Sequence, residues 1–261
     1  MNKNEKDMNR GTLLKIALLL TAIGLLPASS AHAAAKRNDL DKYDFLMPRV
    51  KFACSGGVQW NVYPGADGNL LQELSKVVRC KTKPVNANGQ SPIHGSIKTF
   101  NAVVDLTDIE QLRKYPFMFM TAEGHYDLSR RKKQNLKQYL NEGGFLLIDD
   151  CVYADGIGGG DFFYQSSCSL MRELFGNDSV KQIPKSHEVF HNVYDFSDRG
   201  LPYIQGQKHP AHGVFIEGRL AVFLSATDIH CGWAGCFGKR SRQYKDSIQM
   251  GINIIMYAIS H

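Results

Sequence analysis

The sequence predicts an α/β fold built on a mostly parallel sheet. Two apolar runs, residues 117–120 and 145–148, read as strands buried on both faces. Between them lies an amphipathic helical run, residues 130–140, which completes a strand-helix-strand unit. Polar residues cluster just past both strands, Glu123 and His125 after the first, Asp149, Asp150 and Cys151 after the second. Parallel sheets place their sites at these carboxyl ends.

The other elements follow in order. Residues 50–53 form a first short strand, and residues 54–65 a loop rich in turn formers. A helix starts at Gly68 or Asn69 and runs to about Val78, with Leu70, Leu71, Leu74, Val77 and Val78 on one stripe. Residues 81–98 are polar and without period. Residues 102–106 are a second strand, and 108–114 a helical turn that stops before Pro116. Asp127 or Ser129 caps the helix at 130–140, and Gly143-Gly144 ends it. Residues 153–160 form a Gly-rich loop. A helix over 167–175 turns Leu170, Met171 and Leu174 inward. Residues 183–196 read as loop and irregular extended chain. Residues 214–224 read as a hairpin turning at Glu217-Gly218-Arg219, and 243–259 as a final helix.

The N-terminus reads as a targeting segment. Lys3, Lys6, Arg10 and Lys15 give a positive start, residues 16–26 are apolar, and Ala31-His32-Ala33 is a small-residue cleavage signal. The apolar run is too short for a comfortable membrane span. The expectation is a Sec signal peptide over residues 1–33, cleaved after Ala33, then a linker over 34–48 and a single α/β domain over 49–261. The mature protein is then periplasmic or secreted, with no stable membrane span after cleavage. The whole chain carries a net charge of +6. Removing the signal leaves +4, too weak an excess to argue for nucleic acid as a partner.

Six cysteines lie beyond the signal: Cys54, Cys80, Cys151, Cys168, Cys231 and Cys236. An oxidising compartment makes disulfides the expectation. Cys231 and Cys236 bracket the short segment Gly-Trp-Ala-Gly and can meet at small closure cost. Cys151 and Cys168 are a second pair that can meet at one end of the sheet. Cys54 and Cys80 fall at opposite ends of one strand-helix unit. In this context a disulfide or inert thiol is favoured over a nucleophile at Cys151.

Several blocks resemble a bacterial family called domain of unknown function 4159. They are Gln59-Trp60-Asn61-Val62-Tyr63-Pro64, Asn69 to Leu74, Tyr115 to Gly124, and Gly143 to Asp150. His187, Phe190, Arg219 to Val222 and Asp228 continue the likeness. The family is similar to the class I glutamine amidotransferase-like and trehalose-utilisation-type folds. The resemblance implies a flavodoxin-like three-layer sandwich and no established activity. Amidotransferases carry a Cys nucleophile on a glycine-flanked turn after the equivalent strand. Here Cys151 lies between Asp150 and Val152, and such neighbours do not suit a strained elbow.

Asp149, Asp150, His125 and His187 are the candidate catalytic residues. Adjacent strand residues point to opposite faces, so one aspartate faces the cleft and the other caps a turn. Paired carboxylates can serve as acid and base or bind a hard cation. A cleft histidine can act as general base near neutral pH. No cofactor motif is present: Gly158-Gly159-Gly160-Asp161 lacks the Lys-Ser/Thr ending of a nucleotide loop. His187-x-x-x-His191, His209-Pro-Ala-His212 and Asp228-Ile-His230 offer ligands for a divalent metal, with no zincin signature. Arg130-Arg131-Lys132-Lys133 opens a helix against its dipole and reads as a solvated face or a contact for an anion. Loop aromatics Trp60, Tyr63 and Trp233 could stack on sugars. The function expected is binding of a small polar or carbohydrate-like ligand at the strand ends, with any catalysis hydrolytic. The alternative is a non-catalytic envelope module that docks another protein.

Overall fold

A computed structural model describes residues 42–85, 94–152 and 160–261. The expected signal, most of the expected linker and most of the Gly-rich loop lie outside the described residues. Seven strands form one sheet: β1 (Pro48–Val50), β2 (Ala102–Val104), β3 (Phe117–Ala122), β4 (Phe145–Asp150), β5 (Val180–Gln182), β6 (His212–Ile216) and β7 (Arg219–Ser225). Their order is β2-β1-β3-β4-β7-β6-β5. The first five in that order run parallel, and β6 pairs antiparallel with both β7 and β5. The sheet is therefore mostly parallel, as the apolar strands require.

Among the described residues six α-helices accompany it: α1 (Pro64–Val78), α2 (Ile109–Leu112), α3 (Arg130–Asn141), α4 (Phe162–Phe175), α5 (Ile229–Ala234) and α6 (Arg242–Ser260). Strand alternation divides the core in two. Phe117, Phe119, Phe145 and Leu147 pack on one face with Leu70 of α1, Trp233 of α5 and Ile255 of α6. Met118, Met120, Leu146 and Ile148 pack on the other with Leu136 of α3 and Met171 of α4. The result is three layers, helices on both sides of the sheet. Among the described residues, no helix is long and apolar enough to cross a membrane.

The structure corrects several expectations. The end of the expected linker is core: Phe45, Leu46 and Met47 are buried. The segment between Cys231 and Cys236 is not a loop: Gly232, Trp233 and Ala234 are the second half of α5, and Trp233 is fully buried. Strand β5 falls in a stretch given no element; it has three residues and an exposed edge, so no apolar run marks it. All six cysteines are free thiols. Cys151 and Cys168 belong to cores on opposite faces of the sheet, and Cys80 and Cys54 are divided the same way. Neither of those pairs can close across the sheet without moving the backbone.

Candidate functional site

The sheet's strand-end carboxylates separate as alternation requires. Asp149 lies under the start of α5 and accepts from the backbone N–H groups of Ile229 (3.3 Å) and His230 (2.8 Å). Asp150 lies on the other face and accepts from the N–H of Tyr164 in the first turn of α4 (2.9 Å). Each therefore satisfies helix-end donors that have no partner inside the helix. Capping, expected for one aspartate, is the observed arrangement of both. Burial pushes both carboxyls well above the ordinary range, and the Asp228 charge adds to this.

On the first face, Asp149 stands in a buried polar network. Its register neighbours are Thr121 of β3 and Ser225 of β7, both fully buried. Arg49, central in β1, is also fully buried. Its Nε and Nη2 donate to Asp67 of α1 (2.9 and 2.7 Å), and it also donates to the carbonyls of Trp60 (2.9 Å) and Val62 (3.1 Å). The guanidinium stacks over Phe119 at 4.5 Å. Burial alone would raise the Asp67 carboxyl, but the Arg49 guanidinium holds it below its ordinary value. Arg49 Nη2 also lies 2.7 Å from His230 Nε2. Arginine can only donate, so Nε2 accepts and the proton of the neutral ring sits on Nδ1. Burial and the Arg49 charge lower the imidazole to about 4. Nδ1 makes no well-formed hydrogen bond; the Tyr63 carbonyl is a minor influence on the ring.

Asp228 caps α5 from a left-handed backbone (φ 52°). Its oxygens accept from the N–H groups of Cys231 (3.2 Å) and Val152 (3.0 Å) and from Gln205 Nε2 (2.6 Å). Contact with the Cys231 thiol favours the Cys151 thiolate, but burial and the Asp228, Asp149 and Asp150 carboxylates push Cys151 up to about 12. Such a thiol is not a nucleophile at neutral pH.

On the second face, the first turns of α4 are flanked by two histidines. His125, in the loop after β3, places Nδ1 3.1 Å from Ser166 Oγ and its ring 4.9 Å from Phe162. His125, Asp127, Gln165, Ser166 and Glu173 line an open groove of about 280 Å³. On the other flank, His209 Nε2 lies 2.7 Å from Asp161 Oδ2. His209 is 40% exposed and Asp161 12%. Gln165 joins the two flanks, donating to Asp161 Oδ1 (2.5 Å) while lining the groove. Tyr164 stacks on His209 at 5.2 Å, and its hydroxyl meets His212 Nδ1 at 2.8 Å.

A family model, Domain of unknown function (DUF4159), matches residues 47–259. The chain belongs to this family. A search of curated proteins returns no match.

In this DUF4159 chain the expected site residues divide three ways. Asp149 faces the buried network, and Asp150 and His125 face α4. His187 is elsewhere. Its ring packs on Phe215 and Tyr257, and Tyr257 packs on Phe145, the first residue of β4. That is the amino end of the parallel strands, so His187 cannot share a cleft with the aspartates. The basic run at the start of α3 has its own counter-ions: Lys132 pairs with Asp105, and Lys133 with Asp127 and Glu173. Sequence reasoning missed Arg49, Asp67, Asp161, Ser166 and Gln205. Arg49 lay just before the first strand expected at residues 50–53, whereas it is the central residue of β1, Pro48–Val50. The Asp161–His209 pair spans 48 positions and leaves no local mark.

Proposed function

We propose that this DUF4159 protein is an exported protein of amidotransferase-like, flavodoxin-like fold that binds a small polar or carbohydrate-like ligand beside the start of α4. His209 and Asp161 serve as its general-base pair where the ligand is hydrolysed. The observation that carries the reading is the His209–Asp161 contact, with a half-exposed imidazole oriented by a mostly buried carboxylate. A carboxylate on one ring nitrogen fixes the tautomer and leaves the other nitrogen to take a proton. His125, Ser166 and Gln165 offer the hydroxyl, amide and imidazole groups that a sugar-like ligand requires. The strand order supports the fold assignment: the connections reverse direction between β1 and β3, the switch point of doubly wound sheets. The buried Cys151 supports the absence of glutaminase chemistry.

The test is a thermal-shift screen of sugars, amino sugars and small polar amides, followed by hydrolysis assays on the hits. Binding that weakens in His125→Ala, and hydrolysis lost in His209→Gln with binding retained, is the expected result. Hits unaffected by either change would refute the site. No hits, together with a stoichiometric partner from an envelope pull-down, would favour docking instead.

A further inference from the structure

We infer that the buried side-chain cluster between the end of β4 and the start of α5 is a structural site for one thiophilic divalent cation, of the zinc class, held by Cys151, Asp228 and His230. This site is on the opposite face from the α4 groove and does not depend on the ligand reading.

One donor atom from each of the three side chains lies within 4.8 Å of the other two. All three residues are buried. Sulfur, carboxylate oxygen and imidazole nitrogen are the donor types that suit zinc, and hard cations do not take thiolate. The set is also rigidly mounted. Cys151 follows a strand paired on both sides, and its N–H donates to the Ala122 carbonyl (3.1 Å). Asp228 is fixed by three donors from separate segments.

An independent observation points to a ligand here. His230 Nδ1 is fully buried and has no hydrogen bond of good geometry, only the weak influence of the Tyr63 carbonyl on the ring, while Nε2 is already engaged by Arg49. A buried polar atom so poorly satisfied is costly. A cation would take Nδ1 as its donor and displace the proton. Nε2 must then carry a proton, and Asp67 Oδ1, 3.5 Å away, is placed to receive it. That is the carboxylate–histidine–metal arrangement that orients many metal-bound imidazoles. In it, Arg49 gives up its contact to Nε2 and keeps those to Asp67 and the two carbonyls. The Cys231 thiol, in contact with that of Cys151, is the candidate fourth ligand. Binding forms metal–sulfur, metal–oxygen and metal–nitrogen bonds, releases the Cys151 thiol proton and any carboxyl proton of Asp228 to solvent, and moves the one ring proton of His230 from Nδ1 to Nε2.

The test uses the full chain purified from cells, stripped with chelator and reloaded with Co²⁺. One equivalent of cobalt with a thiolate-to-cobalt charge-transfer band is expected. The band should be lost in Cys151→Ser and kept in Cys236→Ser, a change at an exposed thiol outside the set. No band in the wild type overturns the inference, as does a band that survives in folded Cys151→Ser or disappears in Cys236→Ser. Should Cys151→Ser fail to fold, X-ray absorption on the zinc-loaded wild type decides. A shell with one or two sulfurs supports the site, and a shell of nitrogen and oxygen alone overturns it.

Discussion

Replacing Asp67 by Asn removes one charge from a fully buried ion pair and leaves its shape almost unchanged. Arg49 and Asp67 side chains are both fully buried, joined by two hydrogen bonds. Asn retains one acceptor, so one of those bonds can persist, but the Arg49 charge then stands uncompensated in the core. Breaking a buried pair from one side costs about 3–5 kcal/mol. The carbonyls of Trp60 and Val62 and the ring of Phe119 still hold the guanidinium, which places the expected loss near the lower limit, about 3 kcal/mol. For a chain of this size each kcal/mol lowers Tm by roughly 2–4 °C, so a fall of about 6–12 °C is expected. Urea melts in the presence of chelator measure the loss directly. The double variant Arg49→Met/Asp67→Leu removes both charges. It should be more stable than the sum of its single changes allows, with a coupling of at least about 1 kcal/mol. A loss under about 1 kcal/mol for Asp67→Asn, or strict additivity in the cycle, would refute the claim that the pair is desolvated and mutually dependent.

Three further outcomes follow from packing and charge. A Cβ on Gly56 would sit 2.0 Å from the Glu123 carbonyl oxygen, whereas one on Gly57 meets nothing within 4 Å; Gly56→Ala should cost about 1–3 kcal/mol in denaturant melts and Gly57→Ala far less, and equal effects would contradict the loop packing. Burial holds the His187 and His212 imidazoles below the ordinary histidine range, opposed at His187 by Glu188 and reinforced by His261 and His191, and at His212 opposed by the Pro210 carbonyl and reinforced by His209 and Arg172. As pH falls through about 6.5 these two imidazoles therefore bind more protons in the unfolded chain than in the folded one, and each contributes a fall in stability between pH 7 and 5, opposite in sign to the contribution of the raised Asp149 and Asp150 carboxyls. His187→Gln should flatten that slope, and an unchanged slope would refute the assignment. Asp150→Ala, which removes the acceptor for the Tyr164 N–H, should lower stability by about 1–2 kcal/mol; no loss of stability would show that the carboxylate does not cap α4.

The layers were legible because burial on both faces forces an uninterrupted apolar run, and β3, β4 and β7 each carry one. Helices α1, α3 and α6 were legible from their stripes. Elements whose stability comes from tertiary partners were not. Helix α5 has six residues; its cap Asp228 is a local signal, but Asp149, which holds its start from far along the chain, is not announced by the local sequence. Strand β5 exists because β6 offers it an edge. The site was half legible for the same reason. Asp149, Asp150 and His125 sit at strand ends, where topology alone directs attention. The partners that define their roles, Tyr164, Ser166, Asp161 and His209, arrive from α4 and from the segment before β6. His187 was misplaced because its segment was expected to fold over the carboxyl ends, whereas it packs against Phe215 and Tyr257 at the other end.

The tripeptide Asp149-Asp150-Cys151 explains how one strand end can serve two chemistries. Strand β4 is paired on both sides, so its carboxyl end is reached from α4 on one face and α5 on the other. A period of two sends Asp149 and Cys151 to the α5 side and Asp150 to the α4 side. A slip of one residue would exchange them, placing a thiol under α4 and a single carboxylate under α5, and would break both caps at once. The register is fixed by six residue pairs with β3 along the full length of β4. The two faces are therefore coupled through the strand, and the Asp228 charge acts on both carboxyls, but each face draws its ligating groups from its own side of the sheet. A change at Asp150 or His209 should leave cobalt binding on the α5 side intact, and a change at Cys151 should leave ligand binding beside α4 intact. Loss of both functions from either single change would mean that the strand end acts as one site, and that the division between faces describes packing alone.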